Sequence, residues 1–267
     1  MIDDPFPRAS LSIVSRIDFS APRLFLDLPL SEGAEISPDR DQANYLINVL
    51  RLTDGAQILA FNGRDGEWRM RLRALSRKLY ILHAEARVRE QTPGTDLHYL
   101  FAPLKHARLD YMVQKAVEMG VSRLVPVMTR RTQATRVNLD RMRANAVEAA
   151  EQCGILNLPT IEETIKLERL VAEWPAERRL IFCDEDAPVA DAVTALRQIP
   201  QGPMAVIIGP EGGFDPVERE LLMRVPLVTR LSLGPRILRG DTAAVAALAL
   251  IQAVAGDWGA EELLQRE

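Results

Sequence analysis

The chain has 267 residues, of which 47% are hydrophobic and 26% are charged, and its formal net charge is −4. This length allows two domains or one large one, and the composition is ordinary for a folded soluble protein. No apolar run is long enough to span a membrane, and residues 1–10 lack the basic start and apolar stretch of a signal peptide. Only two cysteines are present, far apart, which argues against a disulfide scaffold and predicts a cytoplasmic protein.

Basic residues are concentrated in two segments of this acidic chain. Residues 64–78 contain six basic side chains against two acidic ones, and residues 105–143 contain nine against three. Such clusters are commonly solvated surfaces, but two of them in one acidic protein favour a surface that binds a polyanion. The three histidines show no spacing typical of metal ligands, so we predict no metal site.

Residues 1–90 are predicted to form a small β-rich domain. A strand is expected at 23–26, followed by a helix that Ser37 and Pro38 begin and that runs to Leu50. Turn-forming residues then separate three further strands, predicted at 57–61, 67–75 and 78–87.

The middle strand of this domain alternates apolar and basic side chains. A period of two puts the apolar set in the core and three arginines on the open face, which we call the arginine face. The arginine face consists of Arg69, Arg71 and Arg73. Long basic side chains at this spacing suit a phosphate backbone, and the alternative is a solvated face that serves solubility. Three further RNA-contact candidates in a later loop are Arg130, Arg131 and Arg136.

Residues 91–267 alternate between strands and helices and are predicted to form a second domain, beginning in a linker at 91–94. This alternation is typical of a mostly parallel sheet covered by helices. Strands are predicted at 97–102, 124–127, 180–183, 205–208 and 228–231, and helices at 107–119, 138–152, 189–198, 216–223 and 242–255. The last helix is apolar nearly all round, which indicates burial on every side. A subunit interface is the favoured explanation, and a central core helix is the alternative.

A glycine-rich loop at 209–213 lies between a predicted strand and a predicted helix. Asp215 and Pro216 have the residue types of an N-cap and a first helical position. Ligands bind at such strand ends in open α/β sheets. The loop lacks the Gly-Lys-Ser/Thr of a phosphate-binding P-loop, and Glu211 suits a positively charged ligand. The alternative is a tight turn that binds nothing.

A second loop, at 231–242, follows the last predicted strand. Parallel strands place it on the same edge of the sheet as the first loop. Its apolar residues could pack against a ligand ring, and its backbone groups could form hydrogen bonds with the edge of an adenine. Its charged residues include Arg236, Arg239 and Asp241.

The two loops together resemble a known signature. GPEGGF at 209–214 and LSLGPRILRGDTA at 231–243 resemble the paired motifs of the bacterial 16S ribosomal RNA uridine-N3 methyltransferases (RsmE-type), in the SPOUT superfamily. Residues 45–63 resemble that family's PUA-like barrel, and residues 105–121 and 148–154 resemble its two middle motifs. This chain departs from the family pattern at Gly240-Asp241, where the family usually has Thr-Glu, and at Ile155, where the family usually has a basic residue.

The resemblance implies an α/β fold in which a small N-terminal PUA-like β-barrel precedes a C-terminal, trefoil-knotted parallel-sheet domain. It also implies a homodimer that binds S-adenosylmethionine and methylates N3 of a uridine in 16S rRNA, within the assembled small ribosomal subunit. Two rivals are a related SPOUT enzyme acting on transfer RNA or large-subunit RNA, and a non-catalytic RNA-binding assembly protein.

Matching the family's motifs to this sequence identifies candidate site residues. Asp241 is the candidate base or orienting carboxylate, and Arg236 and Arg239 could stabilise negative charge on the uracil oxygens. The alternative is that all three only tie the loop together. The candidates for cofactor binding are Gly209, Pro210, Glu211, Gly212, Gly213, Ser232, Leu233, Gly234, Ile237, Leu238 and Thr242.

Overall fold

The computed structural model describes residues 21–76, 79–134, 136–187 and 191–258. Two separate sheets carry these residues, one before and one after the segment 90–96. The division between domains at 90/91 stays a prediction. Two predicted elements, the strand from 78 and the helix from 189, begin at residues outside the described ranges.

The first sheet has five strands in the order β1-β3-β4-β5-β2. Their bounds are β1 Arg23–Phe25, β2 Glu35–Ile36, β3 Gln57–Phe61, β4 Glu67–Ala74 and β5 Tyr80–Arg89. β1 runs parallel to β3, and the other neighbours are antiparallel. On β4 the side chains of Trp68, Met70 and Leu72 are buried in the core of this sheet, as the alternation predicted.

The helix of this first part begins later than predicted. α1 spans Arg40–Asn44, and a π-helical turn, Tyr45–Val49, continues it. Asp39 caps α1 because its carboxylate accepts hydrogen bonds from the N–H groups of Asp41 and Gln42, and the Gln42 side chain bonds back to the Asp39 N–H. The prediction that Ser37 and Pro38 begin the helix is therefore wrong.

The second sheet is parallel and has the order β12-β10-β11-β6-β7-β8, with β9 pairing on β7. Its strands are β6 Leu97–Phe101, β7 Arg123–Met128, β8 Thr160–Ile161, β9 Ile165–Lys166, β10 Arg179–Cys183, β11 Met204–Ile208 and β12 Val228–Leu231. Its helices are α2 His106–Glu118, α3 Leu139–Cys153, α4 Leu167–Ala172, α5 Ala192–Arg197, α6 Pro216–Met223 and α7 Gly240–Val254. The short elements β8, β9 and α4 have no periodic pattern long enough to predict them.

Helices cover both faces of this sheet. One core includes residues of α2, α3, α5 and α7, and a second core on the other face includes residues of α4 and α6. β11 lies inside the sheet, and all five of its residues are buried. Central parallel strands are therefore apolar on both faces, which explains why β11 is a continuous apolar run in the sequence.

Helix α7 is buried on one side only. Ala244, Ala247, Leu248 and Ile251 are fully covered by the core that α7 shares with α2. The opposite side, which includes Val245, Ala249 and Leu250, is half-exposed in the single chain. The alternative of a central core helix is therefore wrong, and the favoured explanation, a subunit interface, stays a prediction.

The two sheets are joined by a packed junction. Phe25 and Phe61 meet edge to face at 5.7 Å, and both pack against the core beside α3. The N–H of Phe25 donates to the Glu151 carboxylate at 2.8 Å, and Arg89 donates to the carbonyl oxygen of Gly154 at 2.9 Å. The motif at 148–154, which forms the C-terminal end of α3, thus contacts the first sheet.

No helix in the part of the chain that the structure describes combines the length and the apolarity needed to cross a membrane.

Candidate functional site

A large cleft lies at the carboxyl ends of β10, β11 and β12, which we call the carboxyl edge. Its volume is about 960 Å³, and the loops that follow these three strands line it. The two loops predicted from the sequence, at 209–213 and 231–242, indeed lie on this one edge. β10 lies between β12 and β11 in the sheet, so the loop after β10 occupies the middle of the cleft.

Most of the predicted cofactor residues line this cleft. Those that do are Gly209, Pro210, Glu211, Gly213, Leu233, Gly234, Ile237 and Leu238, together with Arg236 from the predicted catalytic set. Those that lie outside the lining are Gly212, Ser232, Thr242, Arg239 and Asp241. Their roles stay predictions, but Arg236 alone of the three catalytic candidates reaches the cleft wall.

Two glycines of the first loop are required by the conformation of the loop itself. A side-chain carbon on Gly209 would lie 2.6 Å from the ring of Phe214, so the room at Gly209 is taken by that ring. Phe214 in turn meets Phe182 edge to face at 5.4 Å. Gly213 has a φ of 69°, which disfavours other residues, and its N–H donates to the carbonyl oxygen of Pro210 at 2.8 Å. These glycines therefore shape the loop itself.

The helix after this loop begins as predicted. Asp215 is the N-cap of α6 and Pro216 is its first residue, which confirms both positions. Glu218 completes a capping box by accepting from the Asp215 N–H at 3.0 Å. Glu218 is only 1% exposed, so this carboxylate belongs to the loop's internal structure.

Arginines from other elements hold the first loop in place. The guanidinium of Arg131 donates to the carbonyl oxygen of Gly212 at 2.6 Å, and that of Arg130 pairs with Asp215 at 2.9 Å. The N–H of Arg130 also donates to the buried Glu218 carboxylate at 2.7 Å. Arg130 was predicted to contact RNA, but its guanidinium is already engaged by the cap of α6. Arg130 thus helps to fix the loop, and its contact with RNA stays a prediction.

Glu211 was expected to offer negative charge to a cationic ligand. In the structure its carboxylate forms an ion pair with Arg108 of α2. Both side chains are partly exposed. Because Arg108 offsets part of the Glu211 charge, we expect Glu211 to be a weaker source of negative potential, and its contact with the cofactor stays a prediction.

An acidic segment after β10 was missed by the sequence analysis. Asp184 is 5% exposed and accepts hydrogen bonds from Arg219 at 3.0 Å and from Arg230 at 2.6 Å. Burial alone would raise the pKa of the Asp184 carboxyl, but the hydrogen bonds from the two guanidinium groups outweigh it and hold the pKa below its ordinary value. The network fixes the middle loop of the cleft. Its signal in the sequence is the run Cys-Asp-Glu-Asp at 183–186, directly after an apolar strand.

Glu185 is one of three acidic residues that this loop contributes to the cleft lining, the others being Asp184 and Asp186. Glu185 is exposed, and one of its carboxylate oxygens lies 3.8 Å from the position that a side-chain carbon on Gly213 would take. Glu185 forms no ion pair with any residue that the structure describes. Its charge is therefore available to a ligand.

Asp241 lies behind the wall of the cleft. It is half-buried in the first turn of α7, and its carboxylate accepts from the Thr242 N–H at 2.9 Å. The adjacent residue Gly240 does line the cleft. Burial raises the pKa of Tyr99 well above its ordinary value, and the negative charge of Asp241 adds to that shift. Asp241 is thus one residue away from the cleft lining.

A second, smaller cavity adjoins the cleft. Its volume is about 340 Å³, and its lining residues are Pro103, Leu104, Lys105, Arg108, Arg131, Gln133, Pro210 and Glu211. Three of these, Arg131, Pro210 and Glu211, also line the cleft. The loop at 209–213 is therefore a wall that the two cavities share.

The arginine face of the first sheet points outward, as the alternation predicted. Arg71 forms an ion pair with Glu85, and the hydrogen bond from Arg71 lowers the pKa of the Glu85 carboxyl. Arg73 lies 3.5 Å from Glu35. Arg69 forms no ion pair with a described residue, so it is the free cation of this face. Arg136, the last RNA-contact candidate, is exposed in the loop before α3.

Other reactive side chains do not form a further site. In the described ranges no group of three or more histidine, cysteine or acidic side chains is placed to hold a metal ion. Cys153 is exposed, and burial raises the pKa of Cys183 to about 12. A thiol with such a pKa stays protonated at neutral pH and is a poor nucleophile.

Comparison with known protein families decides the class of this protein. The model of the RNA methyltransferase domain family matches residues 90–252, and the model of the RNA methyltransferase PUA domain matches residues 38–85. The chain belongs to the RNA methyltransferase family. This confirms the resemblance given by the motifs, and with it the α/β fold that joins a parallel-sheet domain to a PUA-like first domain.

Individual relatives agree with this assignment. The chain is 26% identical to the ribosomal RNA small subunit methyltransferase E of Rickettsia conorii, over 86% of this chain and 94% of that protein. It is 25% identical to the protein of the same name from Bacillus subtilis, over 86% of this chain and 95% of that one.

Two solved structures are similar over nearly their whole length. A methyltransferase from Legionella pneumophila, in complex with the cofactor SAM, is 28% identical with a TM-score of 0.79. A ribosomal RNA small subunit methyltransferase E from Neisseria gonorrhoeae, bound to S-adenosyl methionine, is 26% identical with a TM-score of 0.78. Each comparison covers 89% of this chain and 99% of the other.

Proposed function

We propose that this protein transfers a methyl group from S-adenosylmethionine to N3 of a uridine in the 16S RNA of the small ribosomal subunit. The observation that carries the proposal is the cleft at the carboxyl edge, which is built from the two loops that resemble the uridine-N3 methyltransferases. Relatives in Rickettsia and Bacillus are small subunit rRNA methyltransferases, and neighbours from Legionella and Neisseria hold the cofactor.

The cleft fits S-adenosylmethionine in size and chemistry. Its volume lies within the range of about 300–1,000 Å³ that is common for small-molecule sites. Ile208, Leu233 and Leu238 give it apolar walls, and Glu185 gives it negative charge beside the first loop. When bound, the cofactor supplies a methyl group on a positively charged sulfur. A carboxylate near that positively charged sulfur is favourable. The same carboxylate would repel a phosphate ligand.

The target nitrogen must lose its proton, and the methyl transfer then depends on how the nitrogen is positioned relative to the methyl group. Arg236 lines the cleft and can stabilise the negative charge that develops on the uracil oxygens. Asp241 stays the candidate proton acceptor, and it must reach past Gly240 to serve as one. Substitution at a sulfonium needs in-line geometry more than elaborate acid–base chemistry, so the loops that fix both reactants carry much of the catalysis.

The reaction can be tested by measuring tritium transfer from labelled cofactor to small ribosomal subunits that lack the modification. The wild-type protein should label 16S rRNA, and Asp241→Ala should lower the rate by about 100-fold or more if Asp241 is the base. Asp215→Ala is not a suitable control because it removes the cap of α6. Asp257→Ala, just beyond the C-terminal end of α7, is the matched control. Ordinary activity in Asp241→Ala would rule out the base assignment while leaving the reaction in place.

We further infer that the working form is a cytoplasmic homodimer that acts on the assembled small subunit. Ile237, in the second loop, is 99% exposed in the single chain, and the outer side of α7 is half-exposed and apolar. Apolar surface of this kind is typical of a subunit interface. Light scattering should give the mass of a dimer at micromolar concentration, and a monomer mass would contradict the inference.

A further inference from the structure

An ion cluster lies where the first sheet meets α3. The Glu67 carboxylate, at the start of β4, is only 1% exposed. It accepts a hydrogen bond from Arg23 of β1 at 2.9 Å, and it lies 3.4 Å from the guanidinium of Arg89 at the end of β5. A buried carboxylate needs a cationic partner, so these contacts tie three strands together. Because Arg23 also pairs with Glu67, the carboxylate keeps a partner when Arg89 is changed.

Arg89 also reaches across to α3. The nitrogen that faces Glu67, Nη1, donates to the carbonyl oxygen of Gly154 at 2.9 Å. Gly154 is the C-cap of α3, and carbonyl groups at a helix C-terminus carry a partial negative charge that favours a cation. Gly66 lets the chain before β4 approach the Arg89 backbone closely, because a side-chain carbon on Gly66 would lie 2.3 Å from the Arg89 carbonyl oxygen. Arg89 therefore joins a buried carboxylate of the first sheet to the end of α3.

Two further contacts reach the same region of α3. The N–H of Phe25 donates to Glu151, which lies three positions before Gly154. The Gln91 amide donates to the side-chain oxygen of Asn157 at 2.6 Å, just beyond the helix. Several separate attachments fix an orientation, whereas a single one would leave the first sheet free to turn. We call this set of contacts the junction.

β4 and α3 extend from the junction toward the two candidate sites. β4 begins at Glu67 and carries the arginine face. α3 has 15 residues, which corresponds to a length of about 22 Å. Before its first turn lies the loop in which Arg130 and Arg131 hold the loop at 209–213. The junction thus links the strand that presents the arginine face to the helix whose other end leads to the wall of the cleft.

We propose that Arg89 is a positioning residue for the methyl transfer, because it holds the arginine face in one place relative to the cleft. This rests on the proposed methylation of RNA and on docking of RNA at the arginine face. Arg89 lines neither the cleft nor the smaller cavity, so it acts through the position of the first sheet. RNA held on a fixed arginine face presents its target base to the methyl group in one geometry. A misplacement of about 1 Å can lower a rate by about 100-fold.

The test compares the wild type with Arg89→Gln. Methylation of undermethylated small ribosomal subunits at saturating concentration should fall about tenfold. Calorimetry should give the same affinity for S-adenosylhomocysteine and the same number of sites per chain. An effect on folding alone would lower that number of sites. Binding of the subunits to the protein loaded with S-adenosylhomocysteine should keep its salt slope, whereas a direct contact of Arg89 with a phosphate would lower the slope by about 0.7 to 0.9.

Three further variants sharpen the test. Arg89→Lys should restore most of the rate, because both contacts of Arg89 use one nitrogen, which an ammonium can replace. Arg87→Gln is the matched control, since Arg87 lies on the same strand but is exposed and pairs with Glu90, and it should change nothing. Asn157→Ala removes the contact with Gln91 and should lower the rate about threefold with the same pattern. It carries the test if Arg89→Gln does not fold.

Hydrogen exchange examines the junction without any methyl transfer. The Phe25 N–H, which donates to Glu151, should exchange about fivefold faster or more in Arg89→Gln. The amides that pair β3 with β4 lie away from the junction and should keep their rates.

A wild-type rate of methylation in both Arg89→Gln and Asn157→Ala would overturn the proposal. So would an unchanged exchange rate of Phe25, or a lowered salt slope in Arg89→Gln. Failure of the wild-type protein to methylate any RNA would refute the proposed reaction instead, and the exchange rate of Phe25 would still decide whether Arg89 fixes the junction.

Discussion

The carboxyl edge of the parallel sheet and the arginine face of the first sheet use arginine in opposite ways. At the carboxyl edge, arginines from distant parts of the chain are bound to the loops, as Arg219 and Arg230 are to the buried Asp184. On the arginine face, Arg71 and Arg73 each meet one carboxylate at a partly exposed position. The first set holds backbone in a fixed shape, whereas the second presents charge to solvent.

This difference follows from burial. Removing one partner of a buried ion pair leaves an uncompensated charge and is strongly destabilising. An exposed ion pair contributes at most about 1 kcal/mol, and it exchanges readily for another partner. The carboxyl edge is therefore suited to holding a cofactor in one geometry. The arginine face is suited to exchanging its ion pairs with carboxylates for ion pairs with RNA phosphates.

Breaking the buried network should have the largest effect. Asp184→Ala leaves the guanidinium groups of Arg219 and Arg230 without their acceptor, and we expect it to lower the free energy of unfolding by about 3 kcal/mol. Asp186→Ala, whose partner lies 3.5 Å away at an exposed position, should cost less than about 0.5 kcal/mol. Urea denaturation of both variants measures this contrast. Equal losses would mean that burial does not distinguish the two carboxylates.

The same network predicts a dependence on pH. The pKa of Asp184 is held below its ordinary value of 3.8 in the folded protein, so its contribution to stability is present above that pH and is lost as the pH falls through the lower folded value. The difference between wild type and Asp184→Ala should therefore be constant from pH 5 to 8 and shrink only in acid. A difference that shrinks already near pH 6 would contradict this assignment.

A second prediction separates the roles of Glu185 and Glu211, two of the acidic residues that line the cleft. Glu185→Gln should weaken binding of S-adenosylmethionine by about fivefold and leave S-adenosylhomocysteine unaffected, because only the former carries a charged sulfur. Glu211→Gln should change neither affinity by more than about twofold, since Arg108 already neutralises this carboxylate. Calorimetry measures the affinity of each of the two variants for each of the two ligands. A larger loss of S-adenosylmethionine binding in Glu211→Gln would reverse the assignment.

A third and smaller effect tests the arginine face. Arg69 is free whereas Arg71 is paired with Glu85, so Arg69→Gln should lower the salt slope of RNA binding by about 0.7 to 0.9 and Arg71→Gln by less. Changing Arg69, Arg71 and Arg73 together to glutamate should weaken RNA binding further and leave cofactor affinity unchanged. If RNA affinity and its salt slope both survive that triple change, the first domain is not the docking surface.

The sequence predicted the carboxyl edge well where local signals exist. β11, β12 and the start of α6 have apolar runs, loop residues and an Asp-Pro cap, each of which is readable within a few residues. The partners of these loops could not be predicted in the same way. Arg108 and Glu211 are 103 positions apart in the chain, and no periodic pattern joins them. Such pairs depend on how β6, β7 and β11 lie side by side in the sheet.

The sequence analysis left out one residue and misplaced the start of one helix. It named Glu211 and missed Glu185 because the first loop stands out by its glycines, whereas Glu185 follows a strand that has no glycine after it. The order of strands places β10 between β12 and β11, and this order is a property of the whole sheet. Similarly, Asp39 rather than Ser37 caps α1, because the Gln42 side chain completes a capping box with Asp39 only.

The central claim is that this protein methylates N3 of a uridine in 16S rRNA, and mass spectrometry of ribosomal RNA from a strain lacking its gene tests it most directly. Nuclease digests of 16S rRNA from the deletion strain should lack one N3-methyluridine that the parent strain contains, and the wild-type gene should restore it. Digests of large-subunit RNA and transfer RNA should be unchanged. An identical 16S pattern in the two strains, or a methyl group lost from another RNA instead, would contradict the account.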